Sequence, residues 1–191
     1  MNRQKISSAV KEQGILLEAS FLDQGPALQA FATQVVETFN QGGRLLVVGN
    51  GSLGAIANLT ANLFLHRLSL ERPPLPALSL GHDATLATSL VRDGQNRLYF
   101  SRQLRALAND SDIVLVLSDG QRDDSLTEAL TIARQVGSKT ALLTPENADI
   151  KGETIDFGFT LKTASVPRTI EGALFFGHLL CELVEGELFG I

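Results

Sequence analysis

Residues 44–53 read Arg44-Leu-Leu-Val-Val-Gly49-Asn50-Gly51-Ser52-Leu53. An apolar run of strand type stops at a Gly-Asn-Gly-Ser turn, and a helix-compatible stretch begins at once. Strand, glycine turn and helix start in immediate succession confine a chain to few folds. This is how a parallel α/β sheet aims backbone amides and a helix dipole at an anion. The turn therefore marks residues Gly49 to Leu53 as a phosphate cradle.

The rest of the chain supports the sheet. The spacing of Ile6, Val10, Gln13, Leu17 and Phe21 predicts a first helix, broken at Gly25-Pro26. A second helix is predicted over 27–41, ended by Gly42-Gly43. Strands are predicted over 45–48, 77–80, 113–117, 140–143 and, more weakly, 157–161. Helices are predicted over 53–67, 95–107, 123–136 and 170–188, and the stretch from Glu71 to Pro76 is a stiff extended connector. Asp83 is a helix cap or a ligand contact next to His82. Short apolar strands alternating with helices define a parallel, doubly wound sheet in a single domain over 1–191, with an N-terminal helical arm over about 1–41 and an α/β core over about 44–191. Ligands of such sheets sit beyond the carboxyl ends of the strands.

Composition narrows the function classes. A net charge of -5 without a basic patch argues against direct nucleic-acid binding. The single cysteine, Cys181, excludes an intramolecular disulfide and a cysteine-based zinc cluster. The three histidines, His66, His82 and His178, are scattered, so neither a metal nor another cofactor is expected. No apolar run reaches membrane length and no signal core follows the N-terminus, which predicts a cytoplasmic protein. The final helix, with Ala173, Leu174, Phe175, Phe176, Leu179, Leu180, Cys181, Leu183 and Val184, is apolar nearly all round. Such a helix is either a subunit interface or a central core helix.

The Gly49-Asn50-Gly51-Ser52 turn, the Glu71-Arg72-Pro73 connector with Leu75-Pro76-Ala77, the Ser118 strand end and the Arg168…Glu171…His178 helix together resemble the sugar isomerase (SIS) domain family. The resemblance runs in order along nearly the whole chain. It is greatest to the branch that holds the phosphoheptose isomerases and the proteins that associate with the replication initiator DnaA. It implies a three-layer sandwich around a five-stranded parallel sheet, a homotetramer, and a phosphosugar pocket at subunit interfaces.

Aldose–ketose isomerisation needs a base to move a proton between neighbouring carbons and an acid to serve the oxygens. The resemblance puts the family's base, a glutamate, at Leu63, and a histidine one turn earlier at Leu59. No carboxylate lies between Asn50 and Glu71. The family's acid histidine falls on His178, with Glu171 seven residues earlier on the same helix face. A hydrogen-bonded histidine in a packed interface is the structural alternative for His178. Phosphosugar binders of the family follow the third strand with a Ser-Thr-Ser-Gly type loop. Here the stretch is Ser118-Asp119-Gly120-Gln121-Arg122-Asp123. A carboxylate at Asp119 about 4 Å from a phosphate would cost about 4 kcal/mol per unit charge at an effective dielectric near 20. Arg122 offsets part of this if it folds inward; otherwise it is solvated, and Asp123 or Asp124 caps the next helix.

The end of the chain resembles the initiator-associating proteins, in which a Leu-Phe pair contributes to the surface that binds the initiator. That implies Leu188 and Phe189 as protein-binding residues, the alternative being packing on their own subunit. These readings together predict a non-catalytic SIS protein. It has a degenerate pocket open to a sugar phosphate or small anion, and a protein-binding role in replication initiation. The alternatives are an isomerase of sedoheptulose 7-phosphate and a phosphosugar-binding regulator.

Overall fold

Strand residues alternate between two faces with a period of two, and the apolar runs of this chain are buried on both. In β1 (Leu45–Gly49), Leu45 and Val47 enter one core and Leu46 and Val48 the other. β3 (Ile113–Leu117) divides the same way, with Ile113, Leu115 and Leu117 against Val114 and Val116. A sheet with apolar residues on both faces needs helices on both. With β2 (Ala77–Ser79), β4 (Lys139–Pro145) and β5 (Phe157–Leu161), these strands form a five-stranded sheet in the order β2-β1-β3-β4-β5, every pair parallel. The architecture is the expected α/β sandwich. A computed structural model supplies the structure, which describes residues 2–69, 71–148 and 154–190.

One face of the sheet is covered by α2 (Gly25–Asn40), α3 (Gly51–Leu65) and α7 (Val166–Phe189), with α1 (Asn2–Phe21) lying outside against α7. The other is covered by α5 (Tyr99–Leu107) and α6 (Asp124–Gln135). Between β2 and α5 lies α4 (Ala84–Arg92), followed by a short 3-10 turn at Asn96–Leu98. Asp83 caps α4, its carboxylate accepting from the Leu86 amide at 2.8 Å.

The apolar circumference of α7 is largely spent inside its own subunit. Ala173, Phe176, Leu180, Cys181 and Val184 are buried between α2 and α3. The approach to α3 is close enough that a Cβ at Gly177 would stand 2.5 Å from Thr60 Oγ1. Leu174, Phe175 and His178 are left on the side facing α1.

A buried ion pair ties the connector to this layer. Arg72 Nε donates to Glu185 Oε1 at 2.6 Å, and both side chains are almost wholly enclosed. The same guanidinium donates to the carbonyls of Leu63 at 2.9 Å and Phe64 at 2.8 Å, closing the C-terminal end of α3. Glu185 also accepts from the Leu68 amide at 3.2 Å. Burial foremost, with the Glu185 carboxylate adding to it, pushes the neighbouring Cys181 thiol up to about 12, so it stays protonated and inert.

Candidate functional site at the carboxyl edge of the sheet

The strand order reverses direction between β1 and β3, the place where open parallel sheets bind ligands. The turn leaving β1 sits there. Gly51 has φ +54°, a left-handed conformation that favours glycine. Gly49 and Gly54 are in close contact: a Cβ on Gly49 would stand 2.8 Å from the Leu53 carbonyl oxygen, and one on Gly54 2.9 Å from that of Gly49. The strand end is thereby pressed onto the first turn of α3. The amides of Leu53 and Gly54 already donate to the Asn50 carbonyl, so those of Gly51 and Ser52 are the helix-start donors. Gly51, Ser52 and Leu53 line a cavity of about 170 Å³ with Asp119, Asp123 and Ile170.

Asn50 does not cap α3 with its side chain. Its amide reaches across the switch point, donating to Asp123 Oδ2 at 2.5 Å and Ser125 Oγ at 2.8 Å. Asp123 Oδ1 in turn accepts from the Ser125 amide, the Ser125 hydroxyl and the Leu126 amide, capping α6. Burial pushes the Asp123 carboxyl up. The hydrogen bonds from Asn50, Ser125 and Leu126 outweigh that and hold its pKa below the ordinary carboxylate value.

The loop after β3 is divided by its own turns. Ser118 is buried, its hydroxyl accepting from the Gly120 amide at 3.1 Å, and Asp119 Oδ1 accepts from the Gln121 amide at 3.0 Å. Asp119 faces the small cavity, whereas Ser118 and Arg122 lie beside a separate recess against α6. Arg122 does not fold inward: it is exposed and pairs with Asp124 at 3.1 Å. It also borders a larger cleft of about 910 Å³, shared by Asn50, His82, Asn96, Arg97 and Tyr99. Asn96 and Arg97 had no motif to mark them; their only signal was that they follow Gly94 in a loop at the ligand-binding edge.

Within one subunit Leu63 does not line the cavity at the glycine turn. It is 8% exposed and belongs to the core of its own subunit. Asn62, one residue earlier, is exposed, and Asn58, a turn before that, accepts from the Ser79 hydroxyl at 2.6 Å. The outward side of α3 carries Leu59, which is exposed, and Asn62.

Nor does one subunit bring Arg168, Glu171 and His178 to the glycine turn. Val166 and Ile170 are the α7 residues that face it. Arg168, Glu171 and His178 lie on the other side of the helix, in an apolar groove of about 530 Å³ between α1 and α7. There Arg168 pairs with Glu171 and lies 3.6 Å from Glu12. At the chain end, Leu188 packs against the core while Phe189 remains exposed. Among the described residues no cluster of three His, Cys, Asp or Glu side chains forms that could hold a metal, and no helix is long and apolar enough to cross a membrane.

Fold and site together define a doubly wound α/β protein with a helix-start cradle at its topological switch point. The pattern of the SIS domain family matches residues 11–144, and the chain belongs to that family. It is 30% identical over 187 residues to a phosphoheptose isomerase of Thermodesulfovibrio yellowstonii, covering 98% of this chain and 93% of the relative. It is 37% identical over 161 residues to one of Trichlorobacter lovleyi, covering 84% and 82%. The structure of a phosphoheptose isomerase from Francisella tularensis superposes with a TM-score of 0.89 at 26% identity, covering 96% of this chain and 98% of the other.

These likenesses overturn the non-catalytic, initiator-associating reading. End-to-end relatives are phosphoheptose isomerases. That reading rested on Leu63, Asp119 and the Leu188–Phe189 end, of which Leu188 is partly buried against the core and Phe189 is exposed.

Proposed function

We propose that this chain is a phosphosugar isomerase of the phosphoheptose type, acting on sedoheptulose 7-phosphate or a related sugar phosphate. The likeness to phosphoheptose isomerases over almost the full length of both chains carries the reading. The cleft at the sheet's carboxyl edge supports it with room for a sugar phosphate.

In such a reaction a base takes the proton from the carbon beside the carbonyl and returns it to the neighbouring carbon, while an acid moves a proton between the two oxygens. α3 carries no carboxylate or imidazole, so proton transfer falls to Glu171 and His178 on α7. Within one subunit that pair is turned away from the glycine turn. A second copy of the chain completes the site by presenting its α7 face to the turn, as a homo-oligomer of the tetrameric kind would allow. The apolar α1–α7 groove around Glu171 and His178 suits burial against another copy.

A coupled assay with sedoheptulose 7-phosphate tests the reading. Turnover is expected from the purified protein. Replacing either Glu171→Gln or His178→Asn should lower kcat by about 10² or more, as for loss of a general acid or base. A folded protein without turnover on any heptose or hexose phosphate would overturn it.

A further inference from the structure

Among the described residues, the cavity under the glycine turn is lined by two carboxylates and no cation. Asp119 and Asp123 face the start of α3 there, with Leu117, Leu126, Val166 and Ile170 as apolar walls. A cavity of about 170 Å³ has room for a phosphate group rather than for a whole heptose phosphate.

The two carboxylates differ. Asp123 is committed on both oxygens, accepting from Asn50, from the Ser125 amide and hydroxyl, and from the Leu126 amide. Those bonds keep it ionised. Asp119 accepts from the Gln121 amide on Oδ1, and its Oδ2 has no partner among the described residues. Arg122, the cation nearest in sequence, turns outward to Asp124. The neighbouring elements bring no other charge to the cavity. Glu146, on the segment packed against Gly120, is exposed, and Arg168 pairs with Glu171 on the far side of α7. In the two-copy site of the phosphosugar reading, Glu171 and His178 of the second copy are the remaining titratable groups.

A phosphate in this cradle meets the helix-start amides of Gly51 and Ser52 on one side and an open carboxylate oxygen on the other. With the carboxylate about 4 Å away and an effective dielectric near 20, each unit of phosphate charge weakens binding about a thousandfold. Taking up a proton is far cheaper. A phosphate monoester has its second pKa near 6, so binding it as the monoanion costs about tenfold at pH 7. Protonating a carboxyl from near 4 would cost about a thousandfold at the same pH. The proton therefore belongs to the phosphate, whose O–H donates to Asp119 Oδ2 in a short, charge-assisted bond. A serine or threonine in place of Asp119 makes no such demand, because its hydroxyl donates to a dianion without any proton being taken up.

Resting on the phosphosugar reading above, we propose that Asp119 selects the charge state of the substrate. The cradle takes the phosphate as a monoanion, with one proton drawn from solvent and held between a phosphate oxygen and Asp119 Oδ2. Only that O–H bond forms and none in the sugar breaks. Asp119 is thus a specificity-determining residue, and through it substrate affinity falls as pH rises above about 6.

The test is calorimetric titration of the full-length protein with glucitol 6-phosphate, which has no carbonyl and cannot isomerise. It is run between pH 6 and pH 8 in buffers of different ionisation enthalpy, for the parent and for Asp119→Asn. Asparagine keeps an oxygen for the Gln121 amide and removes the charge. The parent is expected to take up close to one proton per ligand at pH 8, and to lose affinity about tenfold per pH unit above pH 6. Asp119→Asn is expected to take up none at pH 8, to bind about equally at pH 7 and pH 8, and to bind about a hundredfold more tightly than the parent at pH 8. Overturning results are no proton uptake by the parent at pH 8, a pH slope shared by both proteins, or no binding by the parent at millimolar ligand at pH 6. Thermal melts show whether the variant is folded, and Asp119→Thr serves as a second variant with the same outcome expected. Failure of the isomerase reading shows separately, as absence of turnover of sedoheptulose 7-phosphate by a protein that still binds the alditol phosphate.

Discussion

Asn50 is the residue on which the two halves of the site meet. Its amide joins the β1 turn to the Asp123–Ser125 cap of α6. Asn50→Ala should cost about 1–2 kcal/mol of stability at neutral pH, the range for losing hydrogen bonds to a charged group. The sign of the pH dependence follows from Asp123, whose pKa in the fold is depressed. A depressed carboxyl stabilises the fold above its unfolded pKa, near 4, and loses that contribution as pH falls through the folded value. The stability gap between parent and variant should therefore be largest near pH 7 and shrink below about pH 4. Urea denaturation at pH 7 and pH 3 measures it, and a gap that widens in acid would contradict the assignment. Much of this site was legible in the sequence. Gly-Asn-Gly-Ser after an apolar run located the turn, and Asp119 and Asp123 were visible as carboxylates in the loop that should wrap a phosphate. The bridge from Asn50 to Asp123 was not legible, because it joins residues 73 apart in sequence.

At the scale of elements, α3 and α7 work as one unit. They meet at Gly177 and Thr60, and the Arg72–Glu185 pair fastens their far ends. Arg72→Met leaves Glu185 buried without its cation and three acceptor groups without their donor. It should destabilise the fold by about 3–5 kcal/mol, the cost of breaking a buried pair on one side. A thermal melt compared with the double variant Arg72→Met, Glu185→Leu checks this, and the double change is expected to be the milder of the two. The sequence marked Arg72 only as part of a connector, since nothing in a local pattern shows that a guanidinium is enclosed. α4 was missed for a different reason. Its Leu86, Leu90 and Val91 keep a helical spacing, but over nine residues only, too short a window to set a helix apart.

For the whole molecule, the apolar strands were sufficient to read the sheet. Runs buried on both faces have no amphipathic alternative, and parallel pairing follows from the intervening helices. Partnership between copies is not written in such patterns, because the last helix is apolar chiefly for its own core. If a second copy completes the site, light scattering should give a mass at least twice 20.5 kDa. A monomeric, fully active protein would refute the shared site.

The placement of α7 also sets a condition on how this protein is made. Its buried side chains close the layer between α2 and α3 and are supplied by residues 173–184, which are made after the strands and helices they cover. Until they emerge from the ribosome, the nascent chain carries an open apolar trough in which Phe31, Val35 and Phe64 lack their cover. Closure of this layer therefore waits on α7, and until then the open trough is apolar surface of the kind that promotes aggregation.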